Sequence, residues 1–155
     1  MVSRTGSASG RQLAASMMAG GILSLAGATA VSGRTDASRG DAALLRYAAL
    51  WGSWFAFGHG VMSADEGNPL LRRTLIGGNI GLATMAAIAP RVEISPTRAR
   101  MINLGGVIGT FGMAGAVGLM SLNGAFDDAT VPMVMVLTGG MAGLWIATRS
   151  TAGEP

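Results

Sequence analysis

His59 is the one histidine of the chain, set between Gly58 and Gly60 in an apolar stretch, and Asn79 and Asn103 are the amides inside two further apolar stretches. Surrounded by apolar residues, an imidazole can relay a proton and an amide can line a polar path, and ionisable groups inside a membrane are functional candidates by default. A plainer reading stands beside this one. His59 lies close to Met62, where a helix end reaches an interface, and amides in apolar helices ordinarily hydrogen-bond across helices for about 0.6 kcal/mol. Two carboxylate pairs, Asp65 with Glu66 and Asp127 with Asp128, could collect a cation. No further oxygen ligands follow at calcium-loop spacing, so they read as solvated turn residues. With no cysteine and a single histidine, no metal set is expected. The glycines lie in mid-helix and the chain has no lysine, so no phosphate-cradling loop is expected either. Met17, Met18, Met113, Met120, Met133 and Met135 read as gap-filling apolar surface. No Ser, His and Asp set stands at a telling spacing, so no catalytic residue and no cofactor is assigned.

The stretches that must position these residues are apolar and rich in glycine. Half of the 155 residues are hydrophobic, 12% are charged and 25 are glycine, far from the quarter of charged residues usual in soluble domains. A membrane protein in contact with a lipid bilayer follows. The net charge of +3 is small and dispersed between apolar runs, which excludes a nucleic-acid partner.

The central stretch is Met101 to Leu122, which carries no formal charge. As a helix rising 1.5 Å per residue it covers about the 30 Å of a bilayer's hydrocarbon. Ser95 is placed to cap it, Pro96 suits its first turn, and Gly124 stands past its end. Gly106, Gly109, Gly112, Gly115 and Gly118 recur every three residues, and Gly105 with Gly109 forms a GxxxG pair. Each glycine costs a helix in water about 1 kcal/mol relative to alanine, whereas in a bilayer small residues let helices approach closely.

In chain order, residues 1–12 form a polar tail and residues 13–31 a first candidate span, with Ser16, Gly20, Ser24 and Ala28 on one face. Ala28-Thr29-Ala30 allows a rival reading of this segment as a cleaved secretory signal. Residues 33–46 form a charged connection with Ser38 as helix cap. Spans are then expected near 47–62, 74–89, 101–122 and 130–148, before a polar tail at 149–155. Residues 47–62 are short for a full crossing, and Arg46 can snorkel to lengthen them. Asp65-Glu66-Gly67-Asn68-Pro69 is a clear turn, and Pro90 ends the third run.

An internal repeat runs through these elements. At an offset of 57, Gly20-Gly21 matches Gly77-Gly78, Arg34 matches Arg91, Ser38 matches Ser95 and Gly52 matches Gly109. At an offset of 62, Leu75-Ile76-Gly77-Gly78 matches Leu137-Thr138-Gly139-Gly140. The fold class that follows is all-α: a polytopic membrane bundle of about five glycine-rich spans built from a repeated helical hairpin. The match to residues 75–87 predicts that residues 1–30 stay on the mature chain. The pattern of capping serine, short charged turn, apolar pair and then Trp51-Gly52 or Ile108-Gly109 resembles glycine-rich repeat regions of high-GC bacteria such as the myxobacteria. That resemblance covers residues 34–122. It implies a bacterial membrane-embedded region, allows the chain to be a segment of a longer protein, and brings no activity with it.

The expected packing residues are Gly20, Gly52, Gly60, Gly77, Gly81, Gly105, Gly109, Gly112, Gly139 and Gly143. A leucine at Gly109 should overpack, and an alanine there should be absorbed. The function these features point to is a structural or oligomerising membrane protein, a homo-oligomer or part of a larger membrane assembly. The alternatives are a small channel or transporter using His59, Asn79 and Asn103, a soluble helical oligomer, and an outer-membrane barrel with a hairpin turn at Gly139-Gly140. The inner membrane is favoured over the outer. With five spans, Arg34, Arg39, Arg46, Arg91, Arg98, Arg100 and Arg149 fall on one side and Arg4, Arg11, Arg72 and Arg73 on the other, which puts the C-terminus in the cytoplasm.

Overall fold

The computed structural model describes residues 38–63 and 69–153, and these are helical, with no strand among them. The first expected span, and Gly20 with it, lies outside the described residues. Four helices follow in order: α1 (Arg39–Met62), α2 (Pro69–Ile88), α3 (Pro96–Ser121) and α4 (Thr130–Ser150). A short 3₁₀ turn, Ala89–Arg91, closes α2 at Pro90.

Helix starts are set by capping chemistry. Ser38 and Asp41 form a reciprocal capping box, in which the Asp41 amide donates to Ser38 Oγ at 3.1 Å and the Ser38 amide donates to Asp41 Oδ2 at 2.8 Å. Ser95 Oγ accepts from the Arg98 amide at 3.2 Å, and Pro96 fills the first helical position, where its missing N–H costs nothing. Asp128 Oδ1 takes the Thr130 amide at 2.7 Å at the start of α4. Gly124 turns the chain after α3 with φ of +68°, a left-handed conformation that suits glycine.

These caps shift the expected boundaries. α1 begins eight residues before Tyr47, because the capped turn continues through the charged residues Arg39, Asp41 and Arg46. α2 begins at Pro69 and takes Arg72 and Arg73 into its first turns. The charges therefore ride on the helices. Only α3 and α4 are long and apolar enough to cross a membrane by length and composition, where four such helices were expected over these residues.

α1 packs along α2 and α3 along α4, each pair antiparallel. α1 also touches α3 and α4, whereas among the described residues α2 packs only on α1 and the 3₁₀ turn. Trp51 of α1 stands against Gly106 of α3, Gly58 stands against Leu137 of α4, and Gly40 lies under the Ile94 carbonyl, so α1 and α3 run in the same direction.

No large side chain is fully buried among the described residues, and the buried apolar side chains are Ala89, Ala99, Val117 and Ala147. Leu50, Ile80, Ile108, Phe111, Leu119 and Trp145 are all exposed. With no large core to compensate, the caps carry unusual weight. Ser38→Ala should lower stability by about 1 kcal/mol, read as an earlier midpoint in denaturant titration of detergent-solubilised protein, while Ser63→Ala, at the far end of α1, should change it less.

Candidate functional site at the helix contacts

The two helix pairs meet backbone to backbone. An ideal Cβ built on Gly52 would collide with the Gly77 carbonyl oxygen and lie 3.2 Å from Gly81 Cα. One built on Gly81 would strike the Ala48 carbonyl, and one on Gly77 the Ala56 methyl and the Gly52 carbonyl. In the second pair, a Cβ on Gly109 would strike the Gly139 carbonyl, and one on Gly143 the Gly105 carbonyl. Gly139 faces Met113 Cβ and the Gly109 carbonyl, each at about 2.5 to 2.6 Å from an added Cβ. The contacts of Ala48, Gly52 and Ala56 with Gly77 and Gly81 thus return at Gly105, Gly109 and Met113 with Gly139 and Gly143. Gly60 meets the flexible end of Leu70, 2.6 Å from where its Cβ would stand.

Gly112 departs from this pattern. Nothing lies within 4 Å of a Cβ added there, or at Gly115 or Gly118. The contact runs along the four-residue ridge Gly105, Gly109, Met113, which turns about 40° per step, and Gly112 lies off that ridge. Three-residue spacing drifts about 60° per step the other way, so the glycine row winds around the helix and out of the contact.

The polar residues stand apart. His59 is exposed near the end of α1, where its Nδ1 lies 3.4 Å from Ser63 Oγ. Asn79 is exposed on α2 and donates to its own helix, at Leu75 O, over 2.8 Å. Asn103 is half-buried on α3, and its Oδ1 accepts from Trp51 Nε1 at 3.0 Å. Since α2 does not touch α3 or α4, the three do not form one path. Among the described residues, no three His, Asp or Glu side chains gather as a metal set. Residues 65 and 66 lie outside the described residues, and Asp128 is engaged by the Thr130 amide.

Trp51 is the residue that joins the two pairs. Its indole edge lies against Gly106 and 3.2 Å from where a Cβ on Gly140 would stand, while Leu137 closes on Gly58. Beside it, Leu50, Trp51, Trp54, Val107, Thr110 and Phe111 line an open hollow of about 200 Å³ whose exposed surface is wholly apolar. Trp54 Nε1 and Thr110 Oγ1 are buried and have no hydrogen-bond partner. The expected packing set missed this seam, though the pattern was present: Trp51, Trp54 and Gly58, like Asn103, Gly106 and Thr110, fall at i, i+3 and i+7 on one helix face.

No protein-family model, curated protein or solved structure matches the chain.

The geometry changes the expectation at Gly109. Because the Cβ itself meets a backbone carbonyl, alanine is enough to force the helices apart. Gly109→Ala should lower the thermal midpoint in mild detergent, with a loss of about 1 to 3 kcal/mol, while Gly112→Ala should be neutral or gain up to about 1 kcal/mol through helix propensity.

Proposed function

We propose that the chain is a polytopic membrane protein of about five spans, built from a duplicated glycine-packed hairpin, and that it serves as a structural or oligomerising component of a bacterial inner membrane. One observation carries this reading: the large apolar side chains point away from the helix contacts. Phe111 is 73% exposed and Ile108 63%, whereas the closest backbone contacts within each helix pair are made at glycine and alanine. In water such an arrangement would leave most of the hydrophobic driving force unused. In lipid it is the ordinary one, because lipid tails solvate the large side chains and small residues allow close helix approach.

The return of the same contacts 57 residues further along α1 and α3, and 62 residues further along α2 and α4, supports duplication. Glycine zipper is an apt description of the Gly52, Gly77, Gly81 and Gly109, Gly139, Gly143 contacts. The separation of His59, Asn79 and Asn103 weighs against the channel or transporter alternative.

Charge supports the orientation. The direction of the helices gathers Arg39, Arg46, Arg91, Arg98, Arg100 and Arg149 at one end and Arg72 and Arg73 at the other. At the arginine-rich end, Arg46 lies 4.8 Å from the Tyr47 ring centroid and Arg149 lies 5.1 Å from that of Trp145. Such pairs of cation and aromatic ring suit a membrane interface. The cytoplasmic side then holds the C-terminus.

Fractionation of cells expressing the full chain should leave it in the membrane pellet, extracted only by detergent and helical by circular dichroism. Recovery in the soluble fraction without detergent would replace this reading with the soluble oligomer. A detergent-corrected protein mass should exceed the 15.6 kDa of one chain; a strictly monomeric species would remove the oligomerising role. For orientation, a phosphatase fused after Pro155 should be inactive and a fluorescent protein there should be bright, and the opposite pattern would invert the topology.

A further inference from the structure

The contact between the two helix pairs is one-sided. Among the described residues, α1 packs on both α3 and α4, whereas α2 makes no contact with either. Had the pairs met about a twofold axis, the contact of α1 with α4 would return as a contact of α3 with α2. It does not, so the first pair offers one face of α1 and the second offers a seat made by α3 and α4. Trp51 and Gly58 belong to the face, and Gly106, Leu137 and Gly140 to the seat. The Trp51 ring stands against Gly106 and Gly140, and Leu137 fills the space at Gly58. A head-to-tail contact between two units leaves one face and one seat unused.

Both unused surfaces carry the matching residues. At the offset of 57 the face returns on α3 as Ile108 and Gly115, and at offsets of 57 and 62 the seat returns on α1 and α2 as Ala49, Leu75 and Gly78. Ile108 is exposed, and nothing lies within 4 Å of a Cβ added at Gly115, where Gly58 has Leu137 against it. Leu75, the counterpart of Leu137, is exposed too. The atoms nearest a Cβ on Gly78 belong to Ala49 and Ser53 of its own pair, whereas Gly140 has the Trp51 ring beside it. Two differences in size agree with each other. Ala49 stands where the occupied seat has Gly106, which narrows the slot by a methyl, and Ile108 stands where the occupied face has Trp51. A narrower slot takes a smaller side chain without overpacking. We infer that copies of this chain join head to tail in the membrane, with the Ile108 and Gly115 face of α3 in one copy seated on Ala49, Leu75 and Gly78 of the next. Since α1 and α3 run in the same direction, all copies insert in the same orientation, as a closed ring or an open row. The inference names the surfaces for the oligomerising role proposed above and rests on that reading.

The test is cysteine cross-linking in membranes of cells expressing the full chain, which has no cysteine of its own. Gly115→Cys and Leu75→Cys each alter an exposed position. Co-expressed and oxidised, the two variants should give a covalent dimer on a non-reducing gel. Either alone should give none, because a disulfide needs Cα atoms within about 7 Å and each cysteine then faces an unsubstituted residue. Met141→Cys, exposed on α4 outside both surfaces, should give no dimer with Gly115→Cys. A second variant reads the same contact without cross-linking. Gly115→Leu fills the space that Leu75 of the neighbouring copy would take, while open surroundings spare the fold of its own chain. Its thermal midpoint should hold, and its detergent-corrected mass should fall to the 15.6 kDa of one chain. Dimers from either single variant alone would show a face meeting itself and overturn the inference. Equal cross-linking by Met141→Cys, or an unchanged mass for Gly115→Leu, would overturn it as well. No dimer from the mixture, with wild type above 15.6 kDa, would overturn it while leaving the oligomerising role to another surface; a monomeric wild type would remove both.

Discussion

The structure depends on carbonyl oxygens that stand where the neighbouring helix would carry a Cβ. Gly77 and Gly139 each present such an oxygen to a glycine on the facing helix, and Gly52 and Gly109 are those glycines. Approach this close follows a single ridge of each helix, which excludes bulk from that ridge and sends most of the large side chains elsewhere. The exposed rows of Leu, Ile and Phe are thus a direct result of how the helices meet. A core of the usual kind has no room to form, since the space between paired helices is already filled by backbone.

Contacts between the pairs follow a different principle. One large side chain, Trp51, enters the second pair at the level of Gly106 and Gly140, where missing side chains leave room for its ring. Its indole N–H is paired with Asn103, so the wedge is held by both shape and hydrogen bonding. The corresponding residue of the second pair, 57 positions on, is Ile108, which is exposed and has no such partner in the described residues. Two hairpins with matching internal contacts therefore present different outer faces.

Helical character, the caps at Ser38 and Ser95, the stop before Gly124 and the glycine pairs of four-residue spacing were all legible in the sequence. Each rests on local chemistry or on a period that one helix face preserves. The three-residue row through Gly112 misled, because its spacing resembles a face but rotates away from the contact ridge. Charge misled at Arg39 to Arg46, where a reciprocal cap starts the helix ahead of the apolar run. The role of Trp51 and the buried, unpartnered polar atoms of Trp54 and Thr110 depend on which face of α1 meets which face of α3. That choice is made by long-range packing, and the sequence showed only two faces able to meet.

Helices joined through backbone have a thermal consequence. The heat capacity of unfolding scales with the apolar area uncovered, and parting α1 from α2 or α3 from α4 uncovers chiefly peptide groups, Cα atoms and a few methyls. In a lipid surrounding, the exposed large side chains keep the same environment before and after the helices separate. Stability should therefore vary almost linearly with temperature, without the broad maximum near room temperature that a buried hydrophobic core imposes, and the association of these helices should not weaken in the cold.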